Sequence, residues 1–289
     1  MLLSVDLNNF IKKFSLKKTV DILSDAGFDA MDFNFSDSVY CDENTDDASF
    51  KDSFVELKKY AEDKGMVFNQ AHAPMPSSNK DSQRSEETFQ SIVRSMRNAS
   101  YLGVKNIIVH PVTHLPFNED KVLDKLYDLS MVLYNRLKPY CEEYNIKICV
   151  ENMYYCNGPK QIHCACSRPD DFIKYVDSLD RKWFSACLDI GHTVLVCEDP
   201  ADFIRKLGKD RLQALHVHDV DGLHDSHTLP YFGICDWDAV TKALKDIDYQ
   251  GDFTYEAGSF IAKLPNELCP TAAKHMEATG RYLINKIKN

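Results

Sequence analysis

Six short stretches of this chain end in side chains that can hold a cation or move a proton. They are Gln70-Ala71-His72-Ala73-Pro74, Ile107-Ile108-Val109-His110-Pro111, Cys149-Val150-Glu151-Asn152, Cys187-Leu188-Asp189-Ile190-Gly191-His192, Leu215-His216-Val217-His218-Asp219 and Tyr255-Glu256-Ala257-Gly258. From His72 through His110, Glu151, Asp189 and His216 to Glu256 the steps are 38, 41, 38, 27 and 40 residues. Carboxylates and imidazoles, without thiolates at these places, suit a divalent ion of intermediate hardness: Mn2+, Zn2+, Co2+ or Mg2+. Glu151, Asp189, His216 and Glu256 form the core quartet. On a strand, residues two apart face the same way, so Glu151 shares a face with Cys149, Asp189 with Cys187, and Glu256 with Thr254. Ionised carboxylates at the end of a buried strand are costly unless paired, which points to a cation among them. Any one of these residues alone reads as a buried polar group bonded to a neighbouring strand. Six in register do not, because structural polar groups have no reason to share one rim.

The elements that must position them alternate along the chain. Strand runs are expected at Leu2–Leu7, Ala30–Phe35, Val67–Ala71, Asn106–His110, Ile146–Glu151, Phe184–Asp189, Leu212–His218 and Asp252–Glu256. Helical patterns fall at Leu16–Ala26, Phe50–Lys64, Glu86–Leu102, Asn118–Tyr144, Pro169–Leu179, Pro200–Leu207, Trp237–Lys245 and Leu268–Ile287. Gly27, Gly65 and Gly103 stand at stop positions, Pro169 and Pro200 suit first turns, and Asp199 suits an N-cap. Eight strand–helix units over 289 residues predict an α/β fold, a single (β/α)8 TIM barrel spanning 1–289. A doubly wound open sheet would alternate in the same way, but it calls for a Gly-rich phosphate loop that the sequence lacks. In a barrel, one strand–helix repeat returns each polar residue to the same rim, where such enzymes keep their sites.

Charge and composition narrow the partners. With 34 Lys+Arg against 44 Asp+Glu, the net charge of −10 disfavours nucleic acid as substrate. No apolar run is long enough to span a bilayer, and Met1-Leu2-Leu3-Ser4-Val5-Asp6 has no leader pattern, so a cytoplasmic protein without membrane contact is expected. The ten cysteines are scattered, and Cys149 and Cys187 fall in strand-like runs, which reads as buried free thiols. His163-Cys164-Ala165-Cys166 lacks the second cysteine pair of a structural zinc site. His216 to His227 holds four of the ten histidines, and His218 faces the same way as His216, although only one of the two need bind metal.

At these residues the sequence resembles the xylose isomerase-like TIM barrel superfamily, which includes sugar phosphate isomerases/epimerases and the family-2 apurinic/apyrimidinic endonucleases. The matching pieces are Val150-Glu151-Asn152, Leu188-Asp189-Ile190-Gly191-His192, the run from Leu215 through His227-Thr228-Leu229-Pro230-Tyr231-Phe232-Gly233 to Asp236-Trp237, and Tyr255-Glu256. The resemblance implies one divalent ion held by Glu151, Asp189, His216 and Glu256, with His192 contacting substrate; His72 and His110 are further candidates for binding substrate. The endonuclease branch would add His72, His110, His192, Asp225 and His227 as ligands, for up to three ions. Two departures stand out. That branch follows its first His motif with an aromatic–aliphatic pair, where this chain has Met75-Pro76. Ketose 3-epimerases carry a Glu six residues after the first metal Glu and an Arg six after the metal His, where this chain has Asn157 and Gly222.

The resemblance further implies sugar or sugar phosphate isomerisation or epimerisation through a metal-stabilised enediolate, with Glu151 and Glu256 as acid and base. A dehydratase or lyase would use the same chemistry. A phosphodiesterase with clustered ions and a non-catalytic sugar-binding barrel are the readings from other classes. For a small carbohydrate substrate, Tyr154, Tyr155, Tyr231, Phe232 and Trp237 are candidate stacking residues. Lys160, Arg168 and Lys263 are the candidates for a phosphate group. A homo-oligomer stays open.

Overall fold

The computed structural model describes residues 1–36, 38–41, 47–117, 121–157 and 160–289. Eight parallel strands form the ring: β1 (Leu3–Asp6), β2 (Ala30–Asn34), β3 (Val67–His72), β4 (Asn106–Val109), β5 (Lys147–Glu151), β6 (Phe184–Asp189), β7 (Leu212–His216) and β8 (Phe253–Tyr255). Neighbours follow chain order from β8 through β1 to β7. The ring closes between β7 and β8 just past their ends: Val217 N–H donates to Thr254 O at 2.9 Å and Glu256 N–H to Val217 O at 3.1 Å. Helices α1 (Leu16–Ala26), α2 (Asp47–Asp63), α3 (Ser82–Leu102), α4 (Val122–Tyr144), α5 (Pro169–Asp177), α6 (Pro200–Leu207), α7 (Trp237–Asp246) and α8 (Cys269–Lys288) lie between and after the strands. The architecture is a single (β/α)8 TIM barrel.

Local chemistry explains where these helices begin and end. Asp81, Asp199 and Asp236 each accept the backbone N–H of the third residue on, at 2.9 Å, and so cap α3, α6 and α7. Gly27 ends α1 at φ +102°, a left-handed conformation that a Cβ would strain. The helix expected over Asn118–Tyr144 begins at Val122, and Asn118–Asp120 lie outside the described residues. The loop expected after β5 instead holds a two-stranded antiparallel hairpin, Tyr154–Asn157 with Lys160–His163.

Inside the ring, Ile108, Cys149, Cys187 and Ala214 form a small apolar cluster of their own. Each sits two residues before His110, Glu151, Asp189 or His216. The interior is therefore apolar below and polar at the lip, because inward side chains recur with period two. All ten cysteines are free, and those at 149 and 187 are buried. No helix among the described residues is long and apolar enough to cross a membrane.

Candidate metal centre

The ends of β5, β6 and β7 and the residue after β8 converge. One ligand atom each from Glu151, Asp189, His216 and Glu256 can be chosen so that all four lie within 4.8 Å of one another. His216 Nδ1 is 2.9 Å from Glu151 Oε1 and 3.2 Å from Glu256 Oε2, while its Nε2 faces Asp32 Oδ2 at 3.6 Å. Asn152 joins the ends of β5 and β6: its Nδ2 donates to Asp189 O at 3.0 Å, and its Oδ1 accepts Asp189 N–H at 2.7 Å. This two-way bond fixes where Glu151 and Asp189 stand relative to each other.

The other candidate residues flank that quartet on two sides. His72 Nε2 and His110 Nε2 are 3.0 Å apart, and His110 Nε2 lies 3.0 Å from Glu151 Oε2. On the far side, Asp189 Oδ1 accepts His192 N–H at 2.7 Å and so caps the short helix Ile190–Leu195. The same carboxylate meets His218 Nε2 at 2.9 and 3.0 Å. His218 stacks on His227, with ring centroids 4.2 Å apart. A Cβ on Gly191 would come within 2.1 Å of the His218 ring, so glycine makes room for it. Asp225 Oδ2 lies 2.8 Å from His227 Nε2 and 3.5 Å from His192 Nε2, and accepts the Tyr154 hydroxyl at 3.2 Å. All nine positions singled out in the sequence therefore lie in one contiguous cluster. His218 belongs to it too, and its parity with His216 was the signal.

Charge at the cluster is balanced by imidazole alone: every ion pair of Glu151, Asp189, Asp225 and Glu256 among the described residues is with a histidine. Burial pushes the Glu151 carboxyl up in pKa, but the His216 and His110 rings hold it well below the usual carboxylate range. Burial works against charge on His216, yet Glu256 and Glu151 hold its pKa well above the ordinary 6.5. His227 is likewise raised to about 10: burial opposes its charge and the carboxylates of Glu256 and Asp225 prevail. Beneath them, burial and the neighbouring Asp32 and Glu256 raise Asp6 to about 7. Three buried carboxylate oxygens among the described residues, Glu151 Oε2, Asp225 Oδ1 and Asp32 Oδ1, accept no hydrogen bond. Unpaired lone pairs on buried carboxylates, beside imidazoles that need a positive charge to offset them, fit the donor set of a divalent cation.

Above the cluster opens a cavity of about 410 Å³. Glu151, Glu256, His110, His192, Asp225 and His227 line it, whereas Asp189 and His216 are buried and do not. The apolar part of its lining comes from Met75, Met153 and the hairpin residues Tyr154 and Tyr155. Tyr155 stacks on Phe117 at 4.2 Å. Of the residues expected to stack on a sugar, Tyr231 and Phe232 are exposed away from this lining, and Trp237 is buried with its indole N–H on Asp219 at 2.8 Å. Arg168 and Lys263 do not line the cavity either, and the Lys160 side chain lies outside the described residues.

A family model described as xylose isomerase-like TIM barrel matches residues 20–278. A D-psicose 3-epimerase of Enterocloster bolteae is 27% identical over 243 residues, 81% of this chain and 74% of that protein. A protein of Sinorhizobium fredii with no described activity, y4fM, is 27% identical over 159 residues; the match takes in 55% of this chain and about half, 49%, of that protein's length. Among solved structures, a D-tagatose 3-epimerase-like protein superposes with a TM-score of 0.77 at 20% identity, covering 100% of this chain and 98% of its own. The IOLI protein with a bound zinc atom follows at 0.76 and 18%, covering 99% and 98%. At these identities the structural likeness is one of fold.

Proposed function

The chain belongs to the xylose isomerase-like TIM barrel family, and within it we propose a sugar epimerase that works by proton transfer at a carbon next to a carbonyl. One observation carries the assignment of roles. Of the four central residues, only Glu151 and Glu256 reach the cavity, and they enter it from β5 and from beyond β8, three places apart around the ring. Two carboxylates facing one cavity from different directions can serve as base on one face of a carbon and acid on the other. One takes the proton, and the electron pair moves onto the carbonyl oxygen. The other then returns a proton to the opposite face, which inverts the carbon.

Glu151, Asp189, His216 and Glu256 are the residues that would hold a divalent ion, which when bound would polarise the substrate carbonyl and acidify the neighbouring C–H. His192, which lines the cavity, would donate to a substrate oxygen. Met75, Met153, Tyr154 and Tyr155 shield the reacting face from water. The D-psicose 3-epimerase relative supports a ketose-type substrate, while Asn157 and Gly222 stand where ketose 3-epimerases carry Glu and Arg.

The test is incubation with a ketose panel in D2O. An epimerase places deuterium at the inverted carbon and releases no fragment. Release of a fragment would instead assign the protein to the lyases. Glu→Gln at 151 or 256 should slow exchange by roughly 10²–10⁴-fold. A Gln variant that retains bound metal and full activity would sink the acid–base roles.

One observation favours a second reading: the flanking groups His72–His110–Glu151 and His218–Asp225–His227 have the spacing of further metal sites. A phosphodiesterase with clustered ions predicts two or three metals per chain and cleavage of abasic DNA. The net charge of −10 weighs against it, as does the absence of Lys or Arg among the described residues lining the cavity.

A further inference from the structure

Six of the eleven large apolar side chains that stand exposed among the described residues gather around one outer face of the barrel. They are Leu223, Tyr231, Phe232, Ile234, Leu268 and Tyr282, each between 51% and 62% exposed. Four belong to the loop between β7 and α7, and two to α8 and the residue before it. The loop lies against the helix: Tyr231 meets Tyr282 with ring centroids 6.3 Å apart, and Phe232 meets His275 at 6.2 Å and Phe260 at 5.3 Å. Ile234 folds over Gly222, where a Cβ would come within 2.7 Å of its Cδ1, and Leu223 is the next residue. Backbone bonds fix this loop. Tyr231 N–H donates to Asp219 Oδ2 at 3.0 Å, Phe232 N–H to Leu229 O at 3.1 Å and Ile234 N–H to Val220 O at 2.9 Å. The apolar side chains are therefore held out into solvent by an ordered backbone.

A whole side chain of this kind presents about 150–250 Å², so the six leave on the order of 600 Å² of apolar surface open. The largest patch on an ordinary monomer is about 300–600 Å², and each partner in a stable interface contributes about 800 Å². Exposed Thr271, His275 and Ala278 on α8 extend the patch toward that size. The helix face also suits a copy of itself. Over about 21 Å of its length the outward positions run Leu268, Thr271, His275, Ala278 and Tyr282, which is large, small, histidine, small, large. A face that reads nearly the same from either end is what a two-fold contact needs, because residue i then meets j while j meets i. None of the five is an acid, a lysine or an arginine. Lys274 and Lys286 border them, the second paired with Asp238, so an apolar centre has a charged rim, as at protein interfaces.

We propose that this face joins two copies of the chain about a two-fold axis near His275. The Leu268 end of each α8 then meets the Tyr282 end of the other, and Tyr231 and Phe232 extend the contact along the β7–α7 loop. A net charge of −10 on each chain repels an anionic membrane surface, and it keeps copies apart except where an uncharged face meets its like. The covered loop is the one that carries Asp225 and His227 to the cavity, so pairing braces that side of the site from outside the barrel. The pairing does not depend on which reaction the cavity performs.

The test is sedimentation velocity with light scattering on the full chain across a concentration series. The expected mass is twice that of one chain, with a Kd of roughly 10 μM or tighter. Ala278→Glu puts one unpaired carboxylate from each copy into the contact and should raise the Kd by at least about 100-fold. Position 278 is exposed and glutamate is a good helix former, so the variant should fold and melt as a monomer. Phe232→Ser tests the loop half and should also weaken pairing. Val55→Glu on α2 and Val132→Glu on α4 charge comparably exposed positions outside the face and should leave the dimer intact. A monomer at roughly 100 μM overturns the proposal, and if that monomer binds phosphatidylcholine vesicles the face belongs to a membrane surface instead. A dimer that survives both Ala278→Glu and Phe232→Ser, or one that Val132→Glu disrupts equally, places the contact elsewhere and overturns it too.

Discussion

Asp219 and Trp237, 18 residues apart, are joined by a hydrogen bond of 2.8 Å from the indole N–H to Oδ2. The same buried carboxylate accepts the backbone N–H of Tyr231 on Oδ2 and those of Val220 and Cys235 on Oδ1, each at 3.0 Å. One side chain thus gathers both ends of the loop that carries Asp225 and His227 into the cluster. Asp219→Ala leaves four donors without their acceptor, at a cost of about 1–3 kcal/mol for each that stays buried. The expected outcome is a Tm lower by several degrees, altered tryptophan fluorescence and weaker metal binding. Unchanged melting would show that the loop is held by other contacts.

Asp32 lies behind His216, on the side away from Glu151. Its Oδ2 accepts Gln70 Nε2 at 2.7 Å and stands 3.6 Å from His216 Nε2, while its Oδ1 is buried without a partner. A carboxylate behind an imidazole favours the proton on Nε2 and leaves the Nδ1 lone pair toward Glu151 and Glu256. Asp32→Ala should weaken divalent-metal binding by roughly 10–100-fold, measured by calorimetry on metal-free protein. An affinity equal to wild type would remove Asp32 from this role.

Much of this arrangement was legible in the sequence, for a physical reason. Parallel strands buried on both faces read as continuous apolar runs, so Phe184–Asp189 was bounded correctly; Gly27 marked the end of Leu16–Ala26, and Asp199 and Pro200 marked the start of Pro200–Leu207. The rim register followed from the near-constant length of one strand–helix unit. What escaped was local or non-periodic. The hairpin strands Tyr154–Asn157 and Lys160–His163 are four residues each, too short for a period of two to declare itself. The bond between Asp219 and Trp237 joins the two ends of a loop with no repeat to mark it. Asp32 sits inside β2 beside a register shift at Met31/Asp32, away from the strand ends that the spacing marks.

Asp6 gives the cluster a pH signature. Burial, Asp32 and Glu256 raise its carboxyl from the ordinary 3.8 to about 7, against the lowering effect of the Asn34 and Asn8 N–H groups. A raised folded-state pKa adds stability that is fully present below the unfolded pKa and is lost as pH rises through the folded one. Metal-free protein should therefore lose stability between about pH 4 and pH 7 through this group. Asp6→Asn should flatten that slope and raise Tm at pH 8 relative to wild type. Parallel Tm–pH curves for the two proteins would contradict the assignment.

Arg281 ties the C-terminal helix to the start of the barrel. Its Nη1 and Nη2 reach Asp29 Oδ2 and Oδ1 at 2.7 and 2.8 Å, Nη2 also donates to Gly27 O at 2.7 Å, and Nε donates to Glu277 at 3.0 Å. Asp29 Oδ2 in turn accepts Leu3 N–H at 2.8 Å, so one ion pair links α8, β1 and the turn before β2. Burial acts to raise the Asp29 pKa, but the Arg281 fork and the Leu3 N–H hold it below the usual range. A depressed carboxylate contributes stability above its unfolded pKa and loses it as pH falls through the folded one. Both side chains are about one-third exposed, at 35% and 33%, so solvent screens the pair and Arg281→Ala should cost only about 1–2 kcal/mol. That corresponds to a Tm lower by roughly 2–8 °C. The gap between variant and wild type should hold from pH 8 to pH 5 and shrink in more acidic buffer. Arg281→Lys keeps the charge but not the fork, and should recover less than half of the loss. Full recovery with lysine would mean that charge alone, rather than the bidentate geometry, holds α8 against the barrel.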